Sequence, residues 1–434
     1  MDFDQAISYL QNLTKFGMNF GLGRITELLN RLDNPQETLR IIHIGGTNGK
    51  GSTSAILNSV LQAGGYRVGV FTSPHLHSYT ERYRINGREI EHQVIAGLIA
   101  EVRPHLENMV AEGFEHPTEF EVSTALAFMY FAREQVDFLM LEVGLGGAID
   151  STNVVTPLIS VITNIGMDHM DYLGNSIAEI ARVKAGIIKP GVPVVTAAER
   201  QEALEVIREA AREKGAALVQ VGGQVRWEVK STSMEGLSMD WWGRTQSLSG
   251  LIIPLLGRHQ AVNAATALAV VEALGELGSL SLNERQIREG LAATRWPARL
   301  EIVQRAPLVV IDGAHNLDGA KTLRQALQEF FRYQDLILVI GMLGDKEREK
   351  VVAELAPLAK AVVVTKPNSP RAGDWQNLAV EVRKYVSQVY LIENISEAVN
   401  NGIALAGPLD LVCITGSLYM VAEAREKWHT QAEL

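Results

Sequence analysis

The chain has 434 residues, 47% hydrophobic and 21% charged, with a formal net charge of −10. That length calls for two or three domains, each burying its own core, and the acidic balance argues against a nucleic-acid or anionic-membrane binder. A single cysteine, Cys413, excludes an intramolecular disulfide framework and a cysteine-based zinc site.

Met1–Leu10 carries acids and no long apolar run, so no signal peptide is expected. No segment reaches the roughly 18 apolar residues of a membrane span. Residues 4–14 show helical periodicity through Ile7, Leu10 and Leu13. A loop from Phe16 to Arg24 follows, punctuated by glycine and carrying Phe20; it either covers a ligand or serves as a packed connector. A helix through Ile25, Leu28, Leu29 and Leu32 leads to the short apolar strand Ile41–Ile44.

The stretch that follows, Gly45-Gly46-Thr47-Asn48-Gly49-Lys50-Gly51-Ser52-Thr53, organises the chain. Four glycines fall within seven residues before a helical pattern. Successive backbone N–H groups of such a turn, with the positive end of the next helix, form a concave anion site. Lys50 adds a mobile charge for phosphate oxygens, and Ser52 or Thr53 offers a hydroxyl to Mg²⁺. Gly51 separates Lys50 from Ser52, a departure from the strict G-x-x-x-x-G-K-[ST] pattern.

Thr53–Ala63 reads as a helix stopped by Gly64-Gly65. The strand Arg67–Phe71 runs into Thr72-Ser73-Pro74-His75-Leu76, and a loop after a strand of an open α/β sheet lies at the ligand-binding edge. Ser73 is therefore expected near the phosphates. After a helix over Glu91–Ala111, Thr118 and Glu121 form a capping box at the head of another. Phe138–Glu142 is a buried strand ending in an acid, where nucleotide enzymes hold Mg²⁺. In Gly144-Leu145-Gly146-Gly147 a dinucleotide fingerprint fails, because its third glycine would fall at Ile149.

The strand Pro157–Thr163 delivers Asp168, His169 and Asp171, with His169 a candidate metal ligand. In the helix Ser176–Ile188, Ile177, Ile180, Ala181, Lys184 and Ile188 share one face, which puts Lys184 on the buried stripe. Its stem either snorkels or its amine is desolvated and its pKa lowered. A neutral amine reacts with CO₂ to a carbamate, turning a cation into an anionic ligand for Mg²⁺.

Residues 192–250 alternate strands and helices and then form a β-rich insertion around Trp227, Trp241 and Trp242. An alanine-rich helix from Arg258 to about Leu274 carries Asn263, a cap or a ligand contact, and another helix spans Asn283–Ala293. After a linker near Arg295–Arg299 the pattern restarts: Leu308–Ile311 ends in Asp312, followed by Gly313-Ala314-His315-Asn316 and a helix from Asp318 to Phe331. Leu336–Ile340, Ala361–Thr365, Val389–Ile392 and Leu411–Thr415 are further strands, the last holding Cys413 as a buried structural thiol. The expected fold is α/β: a P-loop-type, mainly parallel-sheet domain over residues 1–296, and a smaller Rossmann-like α/β domain over 297–434.

Taken together in order, Gly46–Ser52, Thr72–Leu76, Glu142–Gly147, Asp168-His169 with Lys184-Ala185-Gly186-Ile187, Asp312–Asn316 and Gly416-Ser417-Leu418-Tyr419 resemble the folylpolyglutamate synthase/dihydrofolate synthase family of the Mur ligase superfamily. The resemblance spans nearly the whole chain, and the inserted Gly51 is usual in that family. It implies that Thr47, Asn48, Gly49, Lys50, Gly51, Ser52 and Thr53 bind the ATP phosphates. It implies that Ser73, Glu142 and His169 hold one or two Mg²⁺ ions and that Lys184 is carbamylated. Asn263, Arg299 and Asp312 would contact the nucleotide. Thr118, Glu119 and Phe120, with the loop near Phe20, would border the pterin, and His315 and Ser417 would lie near the incoming glutamate. Leu317 departs from the proline that often follows the family's His-Asn pair.

The implied reaction is ATP-dependent addition of L-glutamate to a reduced folate, and to dihydropteroate, through an acyl phosphate. Lys50 and Mg²⁺ would stabilise the transferring phosphoryl group, and His315 is a candidate base. The implied protein is a cytoplasmic monomer with small-molecule substrates and neither nucleic-acid nor membrane partners. Two alternatives stand beside it. A Mur-type ligase acting on a nucleotide-sugar peptide would need a sugar-nucleotide domain that the forty residues before Ile41 cannot hold. A nucleotide-gated switch would not need both an acid and an amino acid to release ADP.

Overall fold

Parallel strands covered on both faces are written as unbroken apolar runs, and two sheets built on such runs carry this chain. The computed structural model describes residues 1–17 and 19–429. It forms two compact units. One comprises Met1–Glu228, Asp240–Leu251 and Val262–Thr294; the other comprises Val229–Met239, Ile252–Ala261 and Arg295–Leu434. The long final segment of the second unit starts at the Arg295–Arg299 stretch, and two short earlier segments join it.

The strands of the first unit are β1 (Ile41–Gly45), β2 (Val68–Phe71), β3 (Tyr83–Ile85), β4 (Arg88–Glu89), β5 (Phe138–Glu142), β6 (Ile159–Ile162), β7 (Val194–Thr196) and β8 (Leu218–Gln220). They form one sheet in the order β4-β3-β2-β5-β1-β6-β7-β8. From β2 to β8 the strands run parallel, and the edge hairpin β3–β4 is antiparallel. β1 is buried throughout. The chain leaves β1 for β2 on one side and returns on the other as β6, so the order reverses at β1. Ligands of open α/β sheets collect at such a reversal, outside the carboxyl ends of the strands.

The helices of this unit are α1 (Phe3–Asn12), α2 (Gly23–Arg31), α3 (Lys50–Ala63), α4 (His92–Ala111), α5 (Glu119–Arg133), α6 (Met170–Leu173), α7 (Ile177–Ala185) and α8 (Gln201–Glu213). α3 starts at Lys50, three residues before the expected start at Thr53, because the glycine turn feeds directly into the first helical turn. α7 stops at Ala185, short of the expected Ile188. There Gly186 packs so closely on Ala148 that an added Cβ would lie 2.3 Å from the Ala148 Cβ. One residue of the glycine-aromatic loop, Met18, lies outside the described residues.

Three strands of a second sheet follow: β9 (Arg226–Ser233), β10 (Gly236–Trp242) and β11 (Ser247–Ile253), in the order β11-β10-β9, with Trp241 fully buried. Helices α9 (His259–Glu276) and α10 (Glu284–Ala293) come next. α10 crosses α3 at backbone distance: a Cβ on Gly290 would sit 2.4 Å from the Val60 Cα.

The second unit holds β12 (Glu301–Arg305), β13 (Leu308–Ile311), α11 (Leu317–Phe330), β14 (Leu336–Ile340), α12 (Arg348–Leu355), β15 (Ala361–Val364), α13 (Asn377–Val382), β16 (Gln388–Leu391), α14 (Ile395–Leu405), β17 (Leu411–Thr415) and α15 (Leu418–His429). The sheet order is β12-β13-β17-β14-β15-β16, parallel except for β12. Cys413 is fully buried on β17, and burial pushes its thiol well above the ordinary range. Among the described residues no helix is long and apolar enough to cross a membrane.

Candidate active site

The turn after β1 is built by close approach. Gly46 has φ +140°, and an added Cβ would fall 1.9 Å from Thr163 Oγ1; Gly49 has φ +87°, and its Cβ would fall 2.5 Å from Asn263 Oδ1. Both positions therefore need glycine. Thr163 Oγ1 donates to the Asn48 carbonyl at 2.7 Å, and Thr47 Oγ1 accepts from Gly166 N at 2.9 Å. The N–H groups of Thr47 and Asn48 donate to Asn164, at its carbonyl (2.8 Å) and at Oδ1 (2.7 Å). These two donors serve to shape the turn here. The donors facing outward begin with the first amides of α3, which by helix geometry have no intrahelical acceptor. Asn263 is buried beside the turn on α9, inside the first unit.

Two lysines meet on one carbonyl. Lys50 Nζ donates to the carbonyls of Gly46 and Thr47, both at 3.1 Å. Lys184 Nζ donates to the same Gly46 carbonyl at 2.9 Å. Lys184 is only 5% exposed. Burial first, then the neighbouring Lys50, lowers its pKa to about 7, against the opposing pull of Asp168 and Asp150. A large share of this amine is therefore neutral at physiological pH.

Strand register sets Glu142 next to the end of β1. Glu142, buried, pairs across from Ile44 at the end of β5. β2 pairs with β5 as far as Phe71 and Leu141, so the chain exits toward Ser73 where β5 ends in Glu142. On the other flank, β6 leads to His169, which takes φ +52° and caps α6. His169 N donates to Asp168 Oδ1 at 2.9 Å, and its Nε2 lies 4.0 Å from Asp168 Oδ2. Asp171 is exposed, so the three-residue cluster expected around His169 does not assemble. Among the described residues no group of three or more His, Cys, Asp or Glu side chains is placed to hold a metal. Glu142 supplies one buried carboxylate there, the kind of ligand that magnesium takes beside phosphate and water. Thr53 Oγ1, fully buried on the first turn of α3, has no partner among the described residues.

The capping box at α5 is present: Thr118 caps the helix, and Glu121 Oε2 accepts from Thr118 N at 2.7 Å and Thr118 Oγ1 at 2.9 Å. The same oxygen accepts from Arg24 Nε at 3.1 Å. Arg24 also donates to the Asn19 carbonyl at 2.6 Å, so one guanidinium ties the glycine-aromatic loop to the head of α5. That tie escaped the sequence reading, since nothing in the spacing of Arg24 and Glu121 links them. Phe120 packs over Gly144, where an added Cβ would meet its ring at 2.5 Å. Glu119 pairs with Arg82 at 2.9 Å and accepts from the Tyr79 hydroxyl. Phe20 is 41% exposed and meets Tyr172 of α6 edge-on, with centroids 5.6 Å apart.

In the second unit, Asp312 follows β13 and accepts from Leu300 N at 2.9 Å and Ala314 N at 2.8 Å. Burial pushes its carboxyl up, while Arg299, those two amides and His315 pull it back. Arg299 stands between two residues in the left-handed region, Ala298 (φ +57°) and Leu300 (φ +48°), and Nη1 donates to the Ala298 carbonyl at 3.0 Å. His315 Nδ1 lies 2.9 Å from the Gly313 carbonyl. A carbonyl only accepts, so Nδ1 carries the proton and the basic nitrogen of the neutral ring is Nε2. Ser417 is 2% exposed, and its Oγ has no partner among the described residues.

Comparison with known proteins finds two matching family models. Residues 44–271 match the Mur ligase middle domain, and residues 298–418 match the Mur ligase glutamate ligase domain. A dihydrofolate synthase/folylpolyglutamate synthase of Bacillus subtilis is 37% identical over 428 residues, covering 98% of this chain and 99% of its own. The crystal structure of a folylpolyglutamate synthase from Thermotoga maritima superposes with a TM-score of 0.86 at 36% identity, covering 99% of this chain and 97% of that one. A Mycobacterium tuberculosis folylpolyglutamate synthase, solved with ADP and AMPPCP, gives a TM-score of 0.90 at 34% identity over 98% and 99% of the two chains.

Proposed function

Because the chain belongs to the folylpolyglutamate synthase/dihydrofolate synthase family of the Mur ligase superfamily, we propose that it joins L-glutamate to the free carboxyl group of a reduced folate, and to dihydropteroate, with ATP. The observation that carries this reading is the pair of lysines on the Gly46 carbonyl, one part-buried at the start of α3 and one buried with a lowered pKa.

A carboxylate is a poor acyl donor. Attack of its oxygen on the γ-phosphorus of ATP forms an O–P bond, breaks the bond to the β–γ bridging oxygen and releases ADP. Lys50 and the first amides of α3 face the charge that builds on the phosphoryl oxygens. The glutamate amine then attacks the acyl carbon, the C–O bond to phosphate breaks, and the amine proton leaves to a base. His315, with its basic nitrogen at Nε2, is the residue assigned that proton. Arg299, Asp312 and Asn263 are assigned to the nucleotide, and Ser417 to the amino acid. Ser73, Glu142 and His169 would hold magnesium, which neutralises phosphate charge when bound.

The neutral Lys184 amine adds to CO₂, forming an N–C bond and releasing one proton. The resulting carbamate replaces a buried cation with an anionic oxygen ligand. Thr118, Glu119 and Phe120 border the pterin, with the loop near Phe20.

Trapping tests the chemistry. With MgATP and a reduced folate or dihydropteroate but no amino acid, added hydroxylamine should yield the substrate hydroxamate together with ADP. Absence of hydroxamate while glutamylated product forms normally would rule out the acyl phosphate.

A further inference from the structure

A polar chain runs beneath the sheet where an apolar one would be cheaper. His43 lies mid-strand in β1, flanked by Ile42 and Ile44, and is fully buried. Its Nε2 is 2.8 Å from Thr152 Oγ1. Thr152, also fully buried, donates its one hydroxyl proton to Asp150 Oδ1 at 2.5 Å. Asp150 accepts further bonds from Thr152 N at 3.0 Å and, through Oδ2, from Leu145 N at 2.7 Å. Burial pushes the Asp150 carboxyl up, and the hydrogen bonds from Leu145, Thr152 and Gly144 pull it back. As a carboxylate it takes that proton, so the Thr152 oxygen accepts from the ring and His43 carries its proton on Nε2. Burial and nearby Lys189 drive the His43 pKa down to about 3, so the ring stays neutral through the working range. Nδ1 has no partner among the described residues.

The chain ends on a loop with two important neighbours. Residues 144–153 begin two positions after Glu142 and pack on the end of α7, which carries Lys184. Ala148 N donates to the Val183 carbonyl at 2.8 Å. A Cβ on Gly147 would lie 2.9 Å from the Lys184 Cα. Asn153 Nδ2 donates to the Ala148 and Gly186 carbonyls, both at 3.2 Å. Ser160, the cross-strand partner of His43 on β6, donates to the Ile187 carbonyl at 2.8 Å. The same strand that feeds the phosphate turn thus reaches, through His43, Thr152 and Asp150, the loop linking Glu142 to Lys184.

We propose that His43 is a positioning residue for this reaction: as a neutral Nε2–H donor acting through Thr152 and Asp150, it fixes the 144–153 loop and thereby the placement of Glu142 and Lys184 about the phosphate turn. The inference rests on the function proposed above for those two groups. A displacement of order 1 Å in such groups costs about 10²-fold in rate.

The test uses two breaks and two conservative repairs in the full chain. His43→Leu and Thr152→Val remove the link from opposite ends, while His43→Gln and Thr152→Ser keep a donor or a hydroxyl. We expect kcat to fall about 10- to 100-fold in both breaks, with Mg²⁺-dependent AMPPCP affinity about 10-fold weaker, and both repairs within about 5-fold of the parent. The double break should lose little more than either single one, because both cut one chain. In parallel, ¹⁵N-histidine NMR of the parent should show a neutral, Nε2-protonated ring for the signal lost in His43→Gln. An Nδ1-protonated ring would overturn the inference, as would breaks that match the parent or repairs as damaged as the breaks. The tautomer and the AMPPCP titration are read without turnover. A chain that binds MgAMPPCP as described but never ligates glutamate would therefore count against the proposed function and not against His43.

Discussion

Lys184 shows how far one residue can be read and where reading stops. Its helical spacing placed it on an apolar stripe, and the structure leaves it 5% exposed with its pKa lowered to about 7 from an ordinary 10.5. Between those values the folded chain has released a proton that the unfolded chain still holds, so this residue makes stability rise with pH across about 7 to 10.5. Lys184→Met should therefore raise ligand-free stability most near pH 6 and least near pH 10. At about 1.4 kcal/mol per pKa unit, chemical-denaturation midpoints at the two pH values resolve the difference. A constant offset would show that the amine is not desolvated. Turnover should respond in the opposite sense: Lys184→Ala should fold normally and lose at least about 10²-fold in ADP release. In the parent, activity should fall as pH drops through 7 and recover partly with added bicarbonate. His43 was not legible in this way. Its strand, Ile41–Ile44, reads only as a short apolar run, and the contact with Thr152 is what reveals a donor.

At the scale of elements, local rules were legible wherever the partner lies nearby in sequence. The Thr118–Glu121 cap formed as its spacing required, and the glycine turn after β1 is a turn that only glycine can make at Gly46 and Gly49. What spacing cannot carry is the second partner. Glu121 also takes Arg24, 97 residues away in sequence, so the cap is part of the loop's anchorage. Glu121→Ala should destabilise the chain by about 2 kcal/mol, beyond the roughly 1 kcal/mol of a lost cap and short of a stranded charge, because Arg24 keeps Glu115 at 3.0 Å. A loss near the smaller figure in urea unfolding would mean that Arg24 contributes nothing. The α7 terminus is overrun for the same reason: Ile188 keeps the apolar period, while Ala148 N donates to the Val183 carbonyl and the amides of Ile187 and Ile188 bond three residues back. Gly46→Ala should cost at least about 2 kcal/mol from the backbone alone, with nucleotide affinity lost alongside it.

For the whole molecule, the apolar runs ending in acids predict parallel sheets, and strand order then sets the acid of β5 beside β1, where the order of the first sheet reverses. Glu142 stands beside β1 in the first unit, and Asp312 follows β13, next to β17, in the second. Which segments join which unit was less legible, because the β9–β11 insertion contributes to both units, and no composition shift marks its division. The claim on which the rest depends is that this scaffold couples ATP cleavage to amide formation. The most direct measurement is ADP release by the purified chain with MgATP and a reduced folate, with and without L-glutamate, followed by the mass of the folate product. The account predicts sustained ADP release only when both acid and amino acid are present, matched mole for mole by a product heavier by one glutamyl unit. Sustained ADP release with either substrate omitted, or none with both supplied, would contradict it.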